Sequence, residues 1–457
     1  MKAMTKQQRD DMLLSAPVEK VIPRLAVPSI ISMLITSIYN LADTFFVSQL
    51  GTSASGAVGV IFSAMSLIQA FSFTIGMGSG INVSKALGAG NKKEAERFVS
   101  VAFFTALIFG TVLAIGATLC IDPLVRFLGA TETIAPYAKD YAGYIFYAAP
   151  FMMAGFVMNN LLRFQGLTMY GMVGITTGGI LNMILDPLFI FGLNMGTAGA
   201  ALATAISQFI SFVILLAMCL SRPAAISISL RNFRPSGKMY GRILYNGLPS
   251  LGRQGIAGIS AIVLNNVAGA WGDAAIAAIS IVTRFSLFLN SSVIGFGQGF
   301  QPVCGFCFGA GKYARVRRAF AFGVKVMTII LLILAAVSFP FSGWIITQFR
   351  RDDMEVIRIG TLALRLQLLS LPLWGYITMA NMFTQSIGYG IRATIISSAR
   401  QGIFLIPMLL ILPALFGLLG LQLAQPISDV LTFILSLAIV SGILRELKAM
   451  PDKETNA

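Results

Sequence analysis

Apolar runs near the length that crosses a lipid hydrocarbon core, about 20 residues as a helix, recur twelve times along this chain. They cover approximately residues 25–48, 58–82, 98–120, 141–162, 170–192 and 197–220, then 246–270, 275–303, 319–347, 359–386, 393–415 and 418–444. A water-soluble fold has no interior large enough for so many. Of the 457 residues, 56% are hydrophobic and 11% charged, against about 25% charged in a soluble domain. The mean hydropathy is +0.81. The pattern predicts an all-α membrane protein with twelve transmembrane helices. Pro150, Pro187, Pro340, Pro372 and Pro407 fall inside the runs. Membrane helices tolerate such breaks where neighbours or a cavity re-satisfy the backbone.

The net charge of +15 does not mark a nucleic-acid binder. The cations sit in short loops between apolar runs, not on one amphipathic face. They alternate from loop to loop. The N-terminal stretch holds Lys2, Lys6, Arg9, Lys20 and Arg24. The loop after run 2 holds Lys85, Lys92, Lys93 and Arg97; that after run 6 holds Arg222, Arg231, Arg234, Lys238 and Arg242; that after run 8 holds Lys312, Arg315, Arg317 and Arg318. The C-terminal stretch holds Arg445, Lys448 and Lys453. The opposite loops after runs 1, 5, 7 and 11 hold none, and those after 3 and 9 a few, such as Arg126 and Arg350. Basic loops stay in the cytoplasm, so both termini and the 221–245 linker are expected there. The first residues show no uninterrupted apolar core of a secretory signal.

The chain also repeats itself. Val27-Pro28-Ser29 matches Leu248-Pro249-Ser250, Gly51 matches Gly272, LGAG (87–90) matches FGAG (308–311) and Arg97 matches Arg318, all at one constant interval. Pro150 pairs with Pro372 and Asn159 with Asn381, at an interval longer by a single position. Two six-helix halves follow: an N-lobe over 25–220 and a C-lobe over 246–444, with tails at 1–24 and 445–457. Because each half has an even number of spans, the halves point the same way, as parallel repeats about an axis along the membrane normal. That is a rocker-type transporter architecture.

Several chemistries are excluded. There is no histidine, hence no histidine base and no histidine metal ligand. The CxxC pair Cys304 and Cys307 has no second pair with it, and reads as two small apolar residues at a helix end rather than a zinc or redox site. GFCFGAGKY (305–313) has the wrong glycine spacing for a phosphate-binding loop and Tyr313 after its lysine. No ATP site and no enzyme motif is expected. The GAG pieces at 88–90 and 309–311 read as glycine caps ending helices.

An ion gradient remains as the energy source, and the stretch ILNMILDPLFIFG (180–192) bears on it. Ionisable groups inside spans cost about 2.5–3.5 kcal/mol on insertion scales. Three aspartates lie there: Asp43, Asp186 and Asp429. Counted from their helix ends, Asp43, Asp186 and Thr204 share one depth, roughly 9–12 Å below the outer surface at about 1.5 Å per residue. Asn182 stands one turn before Asp186 on the same face. Pro187 leaves the carbonyl of Met183 without its usual donor. Two carboxylates, an amide oxygen and a hydroxyl at one depth suit a hard cation or a proton. Each aspartate also fits a structural hydrogen-bond hub between helices. Asp429 faces Gln208 in the repeat and has no second acid. Asn159 and Asn160 line a path or bridge helices. Arg253, Arg284 and Arg400 are snorkelling cations or cavity residues. Phe45, Phe71, Phe73, Met152, Met153 and Phe156 read as helix packing, with an apolar binding pocket as the alternative.

NLADTFFVSQLG (40–51), NNLLRFQG (159–166), LNMILDPLFIFGLNMGTAGAALAT (181–204) and GFGQGFQPVCGFCFGAG (295–311) together resemble signature stretches of the MATE family, the multidrug and toxic compound extrusion transporters. The resemblance runs over nearly the whole chain. It implies two six-helix lobes with a cleft opening alternately to each side of a bacterial cytoplasmic membrane. It also implies a monomer without cofactor that exports bulky, often cationic amphiphiles in exchange for H⁺ or Na⁺. In the branch of DinF- and MepA-like proteins the coupling ion binds in the N-lobe, and the family's site residues fall on Asp43, Asn159, Asn182, Asp186 and Thr204. The NorM-type branch adds acids in helices 7 and 10. Here run 7 has none and run 10 has Asn381, which favours the N-lobe over a C-lobe cation site. Asn160, Met152, Met153, Phe156, Arg253, Arg284, Asn381 and Asp429 remain as substrate or cavity candidates. A flippase for lipid-linked substrates of the same superfamily is the alternative function.

Overall fold

The computed structural model describes residues 5–221, 226–349 and 353–452. Lys2, Arg222, Arg350 and Lys453, counted above among the basic loops, lie outside the described residues. Twelve long helical rods carry the fold among the described residues. The first six are α1 Val18–Ser48, α2 Thr52–Gly88, α3 Lys92–Leu119, α4 Ala135–Phe164, α5 Thr168–Gly192 and α6 Gly196–Ser221. The second six are α7 Gly237–Gly269, α8 Asp273–Gly309, α9 Tyr313–Ser338, α10 Met354–Ser386, α11 Gly390–Phe416 and α12 Leu418–Ala449. Eleven are long and apolar enough to cross a membrane. The exception, α7, has 33 residues, but Lys238, Arg242, Arg253 and Gln254 dilute its apolar character.

The duplication is written into the turns. Gly51 and Gly272, Gly90 and Gly311, Gly166 and Gly388, and Gly196 and Gly417 all have positive φ, between 56° and 112°. A side chain disfavours that region, so the same corners are cut in both halves. The caps read from the two GAG pieces are among them. The counterpart rods α5 and α11 also loosen, at different places. After Pro187 the chain makes a π-turn over Leu188–Gly192, where Leu193 donates five residues back to Leu188 at 2.9 Å. A second π-turn, Ala399–Ile403, interrupts α11. Proline removes a helix donor, and a wider turn re-satisfies part of the ladder.

Helices α1 to α6 pack on one another, as do α7 to α12, and the halves meet through α2 on α7 and α1 on α8. The meeting is tightest at the end carrying the termini and the basic loops. A Cβ on Gly78 would stand 2.0 Å from the Ile243 carbonyl oxygen, one on Gly247 2.2 Å from that of Thr74, and one on Gly299 2.3 Å from the Ala26 Cα. Backbone lies on backbone there, as small residues permit in membrane helix pairs. Lys85 closes the same end by donating to the Ile387 carbonyl at 3.2 Å. Toward the opposite end Leu41 and Phe45 of α1, Phe62 of α2, and Leu287 and Phe288 of α8 are exposed.

The tail before residue 25 is more structured than the hydropathy pattern implied. Helix α1 begins at Val18, and Thr5 and Gln8 form a capping box on a further helix, Lys6–Leu14. Leu13 is buried. Its carbonyl accepts from Arg315 at 3.1 Å, and that of Leu14 from Lys312 at 3.3 Å. The tail is polar in sequence, yet its backbone carbonyls satisfy C-lobe cations. The linker docks likewise: Ile226 donates to Gln165 at 2.7 Å, and Arg242, expected in the 221–245 linker but carried by the first turns of α7, pairs with Glu94 at 2.6 Å.

Candidate cation-binding site

Asp186 lies in the last turn of α5 before Pro187 and is buried, as is Asn182 four positions earlier. The Asn182 amide nitrogen donates at 3.2 Å to Asp186 Oδ1 and at 3.2 Å to Oγ1 of Thr204 on α6. Thr204 also lines a cavity of about 310 Å³ with Tyr39 and Asp43 of α1, Phe62 of α2 and Tyr141 of α4. The depth count thus brings Asp43, Asn182, Asp186 and Thr204 into one cluster. With Tyr39 and Tyr141, polar groups from α1, α4, α5 and α6 converge on it.

The cluster is rich in unsatisfied oxygen. Asp43 Oδ1, Asp186 Oδ2 and Asn182 Oδ1 are buried and have no hydrogen-bond partner. Buried polar atoms are nearly always paired, and an orphan costs the full desolvation of the group. Three orphan acceptors in one cluster, Asp43 at the cavity wall and Asn182 and Asp186 behind Thr204, form a donor set for a hard cation or for protons. Among the described residues no Lys or Arg lines the pocket, so the protein supplies no positive charge of its own there.

Asn159 does not join this cluster. A Cβ on Gly171 would stand 2.8 Å from the Asn159 amide nitrogen, and Gly171 lies about four helical turns before Asp186 on α5, roughly 22 Å of rise. The group that α4 contributes is Tyr141, at its other end, beside Asp43 and Thr204. Tyr39, one turn before Asp43, lines the same pocket. Its i to i+4 spacing from Asp43 was the available signal for Tyr39. Tyr141 carried none, because a tyrosine near a membrane interface ordinarily reads as an anchor.

The remaining candidates scatter. Met152 and Met153 are buried in the N-lobe core. Phe156 packs on Phe73 with ring centroids 5.8 Å apart. Asn160 is buried, donates to the Phe156 carbonyl at 2.7 Å and accepts from Arg163 at 2.5 Å. It therefore bridges within α4. Arg253 is half-buried and reaches Asn381 Oδ1 at 3.5 Å, while the Asn381 amide donates to the Ala393 carbonyl at 2.7 Å. Arg284 is exposed. Asp429 is buried and paired with Arg400 at 2.8 Å. Cys304 and Cys307 are free and buried.

A duplicated bundle of membrane-crossing helices, with an acidic cluster in one half, is the architecture of a multi-pass membrane transporter. Residues 28–188 and 249–411 each match the MatE family model, and the chain belongs to the MATE family. The two matched segments begin at Pro28 and Pro249, which are themselves a pair in the internal repeat. The multidrug export protein MepA of Staphylococcus haemolyticus strain JCSC1435 is 27% identical over 432 residues, covering 94% of each chain. A structure described as the outward-facing conformation of a multidrug resistance MATE family transporter of the MOP superfamily superposes with a TM-score of 0.90 at 27% identity, over 98% of this chain and 99% of that one. A MATE crystal structure in complex with MaL6 matches with a TM-score of 0.90 at 27% identity, over 96% and 99%.

Proposed function

We propose that this chain is a cation-coupled exporter of amphipathic compounds, an antiporter working by alternating access across a bacterial cytoplasmic membrane. The observation that carries the reading is the trio of orphaned oxygens on Asp43, Asn182 and Asp186 beside Thr204. Two carboxylates this close repel unless a cation or proton lies with them. Loading from outside therefore relaxes the pocket and draws α1, α4, α5 and α6 together. Release to the cytoplasm restores the repulsion and loosens the same four helices. Because α1 also packs on α8, a change in how α1 seats on α5 alters the contact between lobes. Cation and substrate then act on one conformational equilibrium without sharing contacts. The relatives named as multidrug export proteins support amphipathic drugs as cargo.

The test is efflux of ethidium from proteoliposomes with a pH gradient and a Na⁺ gradient imposed separately. One of them is expected to drive accumulation against the dye's gradient. Movement that only ever runs downhill would replace the antiporter with a channel. Tyr141→Phe is expected to raise the cation concentration for half-maximal efflux about tenfold. A hydrogen bond to a charged group contributes about 1.5–3 kcal/mol, and about 1.4 kcal/mol is tenfold. An unchanged cation dependence would remove Tyr141 from the site. Orientation has its own measurement. In a Cys120→Ser background, Pro235→Cys is expected to react with an impermeant maleimide only when the cytoplasmic face is opened. Labelling from outside intact cells would invert the topology.

A further inference from the structure

The N-lobe pocket has a counterpart in the C-lobe, a cavity of about 250 Å³ between α7, α8, α10, α11 and α12. Much of its wall repeats the N-lobe wall. Ser260, Leu264, Thr283 and Gln425 stand one repeat interval after Tyr39, Asp43, Phe62 and Thr204, and Ala363 stands one position further than that after Tyr141. The carboxylates do not repeat. Leu264 takes the place of Asp43, and the residue opposite Asp186 is Pro407 or, at the longer interval, Met408. The C-lobe cavity is lined instead by one base, with a buried acid behind it, neither of which the N-lobe has at those positions.

The base is Arg400, at a position whose repeat partner, at the longer interval, is Gly178. In the N-lobe there is no room for a side chain there: a Cβ on Gly178 would stand 2.9 Å from the Ser211 Cβ and 3.2 Å from the Ser207 carbonyl oxygen. In the C-lobe the same pair of positions is joined by a hydrogen bond from the Ser428 hydroxyl, the counterpart of Ser207, to the Arg400 carbonyl at 2.8 Å. The π-turn of α11, Ala399–Ile403, falls on this spot. In the N-lobe the π-turn comes only after Pro187. The wider turn opens space for the guanidinium, which stacks on Trp374 at 3.9 Å and lines the cavity. Its Nε donates to Asp429 Oδ1 at 2.8 Å. Gln425 donates to the same oxygen at 3.0 Å and Ser370 to Oδ2 at 2.9 Å. Every oxygen of Asp429 is therefore satisfied, whereas Asp43 and Asp186 each leave one orphaned.

We propose that Arg400 is a tethered cation standing in the C-lobe's equivalent of the coupling-ion site, so that exchangeable cations load in the N-lobe alone and Asp429 is a latent cation site masked by Arg400. The inference rests on the N-lobe reading for what the equivalent pocket binds. A guanidinium held by its own backbone and by Trp374 sits at the carboxylate at an effective concentration that no free ion matches, and it does not leave during a cycle. Removing it exposes a buried carboxylate, which is tolerated only with a proton or a metal cation in its place.

The test counts cations on the purified full-length protein in detergent, by ²²Na⁺ binding and by proton back-titration, summed as equivalents per chain. Asp429→Asn alone is expected to leave the count unchanged, and Arg400→Met to raise it by one equivalent. Adding Asp429→Asn to Arg400→Met is expected to return it to the wild-type count. A wild-type count in Arg400→Met, or the loss of an equivalent in Asp429→Asn alone, overturns the proposal. If Arg400→Met fails to fold, Asp429→Asn alone decides, with Arg400→Lys as the charge-preserving partner expected to keep the wild-type count; an extra equivalent there also overturns it. Asp186→Asn separates this inference from the reading beneath it. That variant is expected to lose at least one equivalent, and an unchanged count there removes the N-lobe site whatever Arg400 does.

Discussion

Asp186→Asn is expected to abolish cation-driven efflux in proteoliposomes while the protein still inserts, folds and elutes as the wild type, and Asp43→Asn to do the same. A neutral amide is cheaper to bury than a carboxylate, and the amide of Asn at 186 can keep its contact with Asn182. Folding is therefore spared. What disappears is the repulsion between two carboxylates, and with it any reason for the pocket to prefer a cation. Each variant also converts one orphaned acceptor into an amide with its own donor, which a hard cation ligates less well. The expected loss of uphill transport is at least a hundredfold, with downhill dye movement and dye binding in detergent retained. Near-wild-type uphill efflux in either variant would make that aspartate a hub between helices and end the coupling mechanism proposed for the N-lobe.

Much of this arrangement was legible in the sequence because membrane helices translate counting into depth. Asp43, Asp186 and Thr204 were brought together by distance from their helix ends, and Asn182 by a single helical turn. Where a residue entered by family resemblance alone, geometry moved it. Asn159 sits against Gly171 at the wrong end of α5, and Tyr141 holds the place assigned to it. Hydropathy also failed at the edges. The tail helix Lys6–Leu14 is invisible to it, because its docking uses backbone carbonyls and the buried Leu13. The pairing of Arg400 with Asp429 was equally hidden. It depends on a π-turn that opens room at one repeat position and not at the other, and no residue count reveals a wider turn.

Gly88→Val is expected to pry the lobes apart at the basic end and to disable export as thoroughly as loss of the acidic pair, by a different route. A Cβ on Gly88 would stand 2.0 Å from the Phe306 carbonyl oxygen and 2.9 Å from its carbonyl carbon. These are backbone atoms of α8, which have no rotamer to yield. The repeat makes the contact reciprocal: Gly309, the counterpart of Gly88, meets the Lys85 carbonyl oxygen at 2.1 Å in the same sense. The two contacts make the α2–α8 crossing a closed end with approximate two-fold symmetry, and neither tolerates a branched side chain while the lobes are shut. Overpacking of this kind costs about 1–3 kcal/mol or more in a packed interior, and about 1.4 kcal/mol shifts a two-state equilibrium tenfold. The strain is relieved when the lobes part at this end, so the variant should populate that arrangement without unfolding. Spin labels on Lys93→Cys and Ala314→Cys, equivalent positions at the basic ends of α3 and α9, report the separation in a Cys120→Ser background. The wild type is expected to give one short distance and Gly88→Val a longer one, with uphill efflux lost. Gly88→Ala and Gly309→Ala should give mixtures. An unchanged distance together with retained efflux would mean that these glycines do not gate the basic end, and that the close contact between α2 and α8 opens at some other level.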